Sequence, residues 1–208
     1  MRIHLVTGGS SGIGECLVER LRERGDEVIA PSRAEVDLAD SAAIRSWAAG
    51  VGVDRLDSLV HCAGVVDLGP VREFDRASWE STLAVNLLAP AELTAAMLPA
   101  LRAGSGTVVF VNSGAGLNAH PQWSSYAASK FGLRAVADAL RGEEPGIRVT
   151  SIFPGRTATR MQADVHRQEG HAYDASAWIR PETVVDRIVD VLDLGPDAQI
   201  PEVVIRPR

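Results

Sequence analysis

Cysteine is nearly absent: Cys16 and Cys62 are the only two, and they stand at no metal-ligand spacing. That usage gives neither a disulfide framework nor a zinc site, and a reducing, cytoplasmic setting is the expectation. Basic runs are absent as well. The 27 acidic and 21 basic residues are interspersed and leave a formal charge of −6, which argues against a nucleic-acid groove. The apolar runs fall short of the roughly 20 residues that cross a bilayer. The chain begins almost directly with an apolar run, which leaves no room for the charged and apolar regions of a signal peptide. Low-complexity tracts and internal repeats are missing too. No metal, no nucleic acid and no membrane is therefore expected as a partner.

What is present suffices for one core. With 208 residues, 46 % of them apolar, the chain reads as a single domain spanning 1–208. Ile3 to Thr7 is a short apolar run that ends in TGGSSGIG, after which Ile13, Leu17 and Leu21 recur at helical spacing. EVIAPS is a second strand, Ala42 to Gly50 a short helix, and Leu56 to Cys62 a strand apolar enough to be buried on both faces. A longer helix from Trp79 to Leu98 precedes the strand GTVVFVNS, and another helix follows to about Leu140. GIRVTSIFPG, a helix from Pro181 and the strand PEVVIRP complete the chain. This alternation predicts an α/β protein with a three-layer parallel sheet.

The glycine turn sits where a dinucleotide site needs one. Gly8 permits a tight turn, Gly12 lets backbone approach a pyrophosphate, and Gly14 lets the helix pack closely on the sheet. Ser10, Ser11 and Ile13 complete the turn, and the helix N-terminus faces the phosphates. The turn lacks the lysine of a nucleoside triphosphate loop. The second strand ends in Pro31-Ser32-Arg33, with no acid for the ribose hydroxyls. Ser32 and Arg33 would welcome a 2'-phosphate, so NADP(H) is expected over NAD(H). Asp37 and Leu38 come later, better placed for the adenine ring.

SSYAASK places Tyr126 and Lys130 four residues apart, on one helix face, beside small side chains. Alone, the two could be a surface pair. They are joined, however, by HCAG at His61 to Gly64, Asn86 in LAVNLL, and Ser113 thirteen residues before Tyr126. With TGGSSGIG, these pieces resemble the classical short-chain dehydrogenase/reductase family, of which this would be a short member. PGRTAT, Pro154 to Thr159, is similar to the segment after that family's sixth strand, and the resemblance runs from Arg2 to about Thr159.

The resemblance implies a Rossmann-type doubly wound sheet and hydride transfer between nicotinamide C4 and a small carbonyl or alcohol substrate. It implies Tyr126 as acid/base, Lys130 as the partner that lowers the phenol pKa and holds the nicotinamide ribose, and Ser113 as donor to the substrate oxygen. Asn86 would secure a water leading to Lys130. Cofactor contacts are implied at Cys62, Ala63 and Gly64 and at Pro154, Gly155, Thr157 and Thr159. His61 and Cys62 replace two asparagines of the family's motif, so what stabilises the central sheet there is open. Ser113 is expected at the end of the fifth strand. A homodimer through the two long helices is expected, with a tetramer as the alternative.

Residues 156–180 are expected to cover the substrate, with Trp123 as a pocket wall. His120 reads as loop packing, Cys62 as a small buried side chain, and His166 and His171 lack a metal partner. Two other classes share the fold: a non-catalytic NADP(H)-binding regulatory protein, and an epimerase or dehydratase acting on a nucleotide sugar. The full Asn86, Ser113, Tyr126 and Lys130 set argues against the first, and the small covering segment against the second.

Overall fold

A computed structural model describes residues 1–208. Its strands are β1 (Ile3–Thr7), β2 (Glu27–Ile29), β3 (Ser58–His61), β4 (Thr107–Val111), β5 (Arg148–Pro154) and β6 (Glu202–Ile205). They form one parallel sheet in the order β2-β1-β3-β4-β5-β6. The order reverses between β1 and β3, and open parallel sheets bind ligands beyond the carboxyl ends of the strands at such a point.

Helices α1 (Gly12–Glu23) and α7 (Pro181–Leu192) cover one face, and α2 (Ser41–Gly50), α4 (Ala89–Gly104) and α5 (Ser124–Glu143) cover the other. The strands divide their side chains between the layers at period two. Leu5, Leu59, Val108 and Phe110 point into the α4 and α5 core, while Val6, Val60, Val109 and Val111 point into the α1 and α7 core. Burying each such side chain contributes roughly 1.5–3 kcal/mol, so an apolar run serves both cores at once. Asp40 caps α2 by accepting from the Ala42 and Ala43 amides, and Pro181 opens α7.

Three expectations are adjusted. The common doubly wound order has a strand outside β2; here the chain passes from β2 through coil into α2, so Ser113 follows the fourth strand, not the fifth. The helix expected from Trp79 to Leu98 is one run, with α3 (Arg76–Leu83), a π-helical turn (Ala84–Leu88) and α4 joined end to end. By length and composition this run, Arg76–Gly104, is apolar enough to cross a membrane, against the expectation of short runs only. Its side chains Leu93, Met97 and Leu101 are instead packed against the sheet.

Candidate active site

The glycine turn is built as close backbone contact. Gly8 and Gly12 adopt φ of +69° and +58°, which favours glycine. A β-carbon on Gly8 would lie 2.7 Å from the Ala63 backbone, and one on Gly14 only 2.3 Å from the Gly8 carbonyl oxygen. The turn therefore seats α1 against both itself and the loop after β3. Ser11, the residue before α1, makes no side-chain cap, which leaves the first-turn amides free toward the cleft. Free amides, a close-approach backbone and a positive helix end fit a dinucleotide pyrophosphate.

A cleft of about 920 Å³ extends from this turn across the carboxyl ends of the strands. It is lined by every site residue named from the sequence except Asn86. At one end lie Ser32, Arg33, Asp37 and Leu38; at the other lie Ser113, Tyr126, Trp123, His120 and Trp178. The adenine end holds an unforeseen contact. The Ser32 amide and hydroxyl both donate to Glu35 Oε2 at 2.8 Å, and Arg33 pairs with Asp37 at 3.6 Å. The Ser32 donors expected to take a 2'-phosphate are thus satisfied by a carboxylate of the same loop, and these hydrogen bonds hold Glu35 below the usual carboxylate range.

Helix α5 carries Tyr126 and Lys130 inward; both are buried. Lys130 is the chain's only lysine. Its Nζ donates to the Val111 carbonyl at 3.0 Å and lies 5.7 Å from the Tyr126 ring centre. Burial pulls its pKa down from 10.5 to about 8. Burial raises the Tyr126 pKa and its neighbour Ser113 partly opposes this. The Lys130 ammonium is turned to a backbone carbonyl here.

Asn112, which the sequence reading passed over, aligns these groups. Its amide donates to the Lys130 carbonyl at 3.0 Å and accepts from the Ser113 amide at 2.8 Å, joining the end of β4 to α5. Ser113 in turn accepts from the Ala115 amide at 3.1 Å. Asn86 lies in the π-helical turn behind the cleft and clips the Val65 backbone with both ends of its amide, each at 2.8 Å, while also donating to Ser129 at 3.1 Å. Its oxygen is also the nearest neighbour of Gly64, at 3.3 Å from a β-carbon built there.

The replaced asparagines have a successor. His61 is buried, stacks on Phe110 at 5.1 Å and hydrogen-bonds Thr94 Oγ1 at 2.9 Å, tying β3 to α4. Burial, with the charge of Lys130, lowers its pKa to about 3, so it is a neutral structural group. Burial pushes the Cys62 thiol up to about 12, in keeping with a small packing side chain.

Helix α6 (Arg160–Glu169) and the 3-10 turn Ala175–Ala177 follow β5. Thr159 caps α6 and presses its methyl toward Gly12, so this segment reaches the glycine turn. Arg156 forms two hydrogen bonds with Glu169, at 2.7 and 2.6 Å, and lies over the Trp123 and Trp178 rings at 5.9 and 5.4 Å. Trp123 meets Tyr126 edge-on at 5.7 Å. The sequence did not disclose this link from α6 to the tyrosine, because its members are scattered along the chain. His166 is buried between Gln162, Tyr173 and Trp178, and His120 borders the cleft.

Comparison with known proteins agrees with this architecture. The family model described as short chain dehydrogenase matches residues 33–170. The oxidoreductase YciK of Escherichia coli K12 is 32 % identical over 197 residues, covering 81 % of this chain and 78 % of that protein. Glycine betaine reductase ATRR of Emericella nidulans is 32 % identical across the whole chain, which spans only 19 % of that protein's length. A short chain dehydrogenase of Escherichia coli CFT073, solved with NADPH, superposes with a TM-score of 0.81 at 26 % identity, covering 99 % of this chain and 95 % of that one. With the glycine turn, the switch-point cleft and the buried tyrosine–lysine pair converging in this way, the chain belongs to the short chain dehydrogenase family of oxidoreductases.

Proposed function

We propose that this protein is an NADP(H)-dependent oxidoreductase that reduces a small carbonyl compound or oxidises the corresponding alcohol. The carrying observation is that Ser113, Tyr126 and Lys130 share one cleft with the glycine turn. The amides of that turn and of α1 would hold the pyrophosphate, Lys130 the nicotinamide ribose, and Ser32 and Arg33 the 2'-phosphate. The NADPH complex of the E. coli CFT073 relative supports this choice over NAD(H). When bound, the nicotinamide supplies or accepts the hydride. Ser113 and the Tyr126 phenol donate hydrogen bonds to the carbonyl oxygen, and Tyr126 delivers its proton there. The Tyr126 phenol carries its proton at neutral pH, as the reducing direction requires.

Residues 156–180 would cover the substrate, with Trp123 and Trp178 as walls. The exposed apolar side chains Leu88 and Phe131, 52 % and 42 % exposed, support a homodimer through the long helices, with a tetramer as the alternative. A cytoplasmic location is proposed on composition.

The test is oxidation of NADPH and NADH at matched concentrations across aldehydes, ketones, diketones and quinones. Turnover with NADPH is expected to fall about a hundredfold or more in Tyr126→Phe, with NADPH binding kept. Near-parental turnover in the variant would refute the role of Tyr126. Tight NADPH binding with no turnover on any substrate would favour the regulatory, non-catalytic alternative.

A further inference from the structure

The cleft and the chain carry opposite charge. The protein has a formal charge of −6, yet the only acidic residue lining the cleft is Asp37, at the adenine end, against Arg33, Lys130, Arg156, Arg160 and Arg206. A cleft of one sign in a low-dielectric wall focuses its field on what enters. Arg33 and Lys130 have cofactor positions, and Arg156 is already neutralised by its two hydrogen bonds to Glu169. Arg160, at the start of α6, and Arg206 make no ion pair, and of these two it is Arg206 whose Nη1 lies 3.0 Å from a β-carbon built on Gly114, the residue after Ser113.

Its root is fixed by the sheet. Arg206 directly follows β6, where Ile205 is in register with Pro154 and accepts the Gly155 amide at 2.8 Å. Pro207 stiffens the next position and packs against Gly155. A guanidinium is thereby held at the carboxyl end of the sheet, beside the serine that meets the carbonyl. On the same wall the Trp178 indole Nε1 is buried with no acceptor in the protein. Trp123, edge-on to Tyr126, and Trp178 supply flat apolar surface in the same cleft.

We propose that the substrate is an oxo acid, or the matching hydroxy acid, whose carboxylate is received by Arg206 while an apolar or aromatic body lies against Trp123 and Trp178. The inference rests on the carbonyl-reductase reading above. Arginine presents a planar fork that matches a carboxylate, and a donor-rich pocket rewards an acceptor-rich substrate. In the reaction the oxo acid gains two electrons. Its carbonyl carbon takes a hydride from the reduced cofactor, which is oxidised, and its oxygen takes the Tyr126 proton, giving the hydroxy acid.

The experiment measures kcat/KM with NADPH for phenylglyoxylate and 4-oxo-4-phenylbutanoate, each beside its methyl ester, in the parent and in Arg206→Gln. The parent is expected to prefer at least one acid over its ester by about tenfold or more, with the preference shrinking as salt is added. In Arg206→Gln that ratio is expected to fall toward one. An ester preference in the parent for both pairs, or an acid preference that Arg206→Gln leaves intact, overturns the proposal. If neither pair is turned over, binding of benzoate and benzamide to the NADP⁺-loaded protein is read by tryptophan fluorescence. Benzoate binding that depends on Arg206 upholds the anion site, with the reductase reading judged by the carbonyl panel above; no such binding overturns the anion site.

Discussion

Replacing His61 with asparagine is expected to blunt the acid sensitivity of the fold. The imidazole has a pKa near 6.5 in the unfolded chain and about 3 in the native protein, where it is buried against Phe110 and Thr94. With a depressed native pKa, the unfolded chain binds a proton that the native site refuses. The stability present above pH 6.5 is therefore lost as the pH falls from there toward 3. Each pH unit within that window costs about 1.4 kcal/mol. Between pH 8 and pH 5, His61 alone thus removes about 2 kcal/mol, a large share of a typical net stability of about 5–15 kcal/mol. Urea unfolding of parent and His61→Asn at the two pH values, followed by tryptophan fluorescence, gives a double difference. Other titrating groups, such as His4, Asp26 and Asp57, contribute to both proteins and cancel. The parent is expected to lose about 2 kcal/mol more than the variant. Equal losses would refute the claim that His61 is held neutral by burial.

Keeping the Lys130 ammonium buried, with its pKa lowered from 10.5 to about 8, costs the fold up to about 3 kcal/mol. Lys130→Met is therefore expected to weaken NADPH binding while raising urea stability at pH 7. Because the unfolded chain binds the extra proton between pH 8 and 10.5, the parent alone should gain stability across that window; a destabilised variant would sink the reasoning. Glu35→Ala frees the Ser32 amide and hydroxyl, so calorimetry is expected to find 2',5'-ADP bound more tightly relative to 5'-AMP. An unchanged ratio would mean that Glu35 does not compete for the phosphate position. Gly14→Ala would bring a methyl to 2.3 Å from the Gly8 carbonyl, so NADPH binding is expected to fall about tenfold or more with the circular dichroism of the fold retained. Parental affinity would show that the turn yields without cost.

What was legible in the sequence is what is local. The glycine turn, the Tyr126–Lys130 spacing and the alternation of strands and helices each lie within one stretch of chain, and all reappear in the structure. The partners of these groups were not legible, because they arrive from a distance. Thr94 meets His61 from 33 residues away, and Lys130 turns to Val111 across 19. The π-helical turn around Asn86 had no signal, since apolar residues there fit an α-helix equally well. Glu35 was close in sequence, yet its reach back to Ser32 depends on the loop that replaces an outer strand. Counting strands from the family pattern gave one too many before Ser113 for the same reason.

The lone lysine has a chemical consequence. Of the 21 basic residues, all but Lys130 are arginine, so apart from the terminal amine the chain offers one primary amine to an acylating or aldehyde reagent. At a pKa of about 8, about a tenth of that amine is uncharged and nucleophilic at pH 7. An exposed lysine would show well under about one part in a thousand. Label located at Lys130 by peptide mass, apart from the terminal amine whose ordinary pKa is similar, then reports open clefts, and whatever occupies the cleft shields its own reporter.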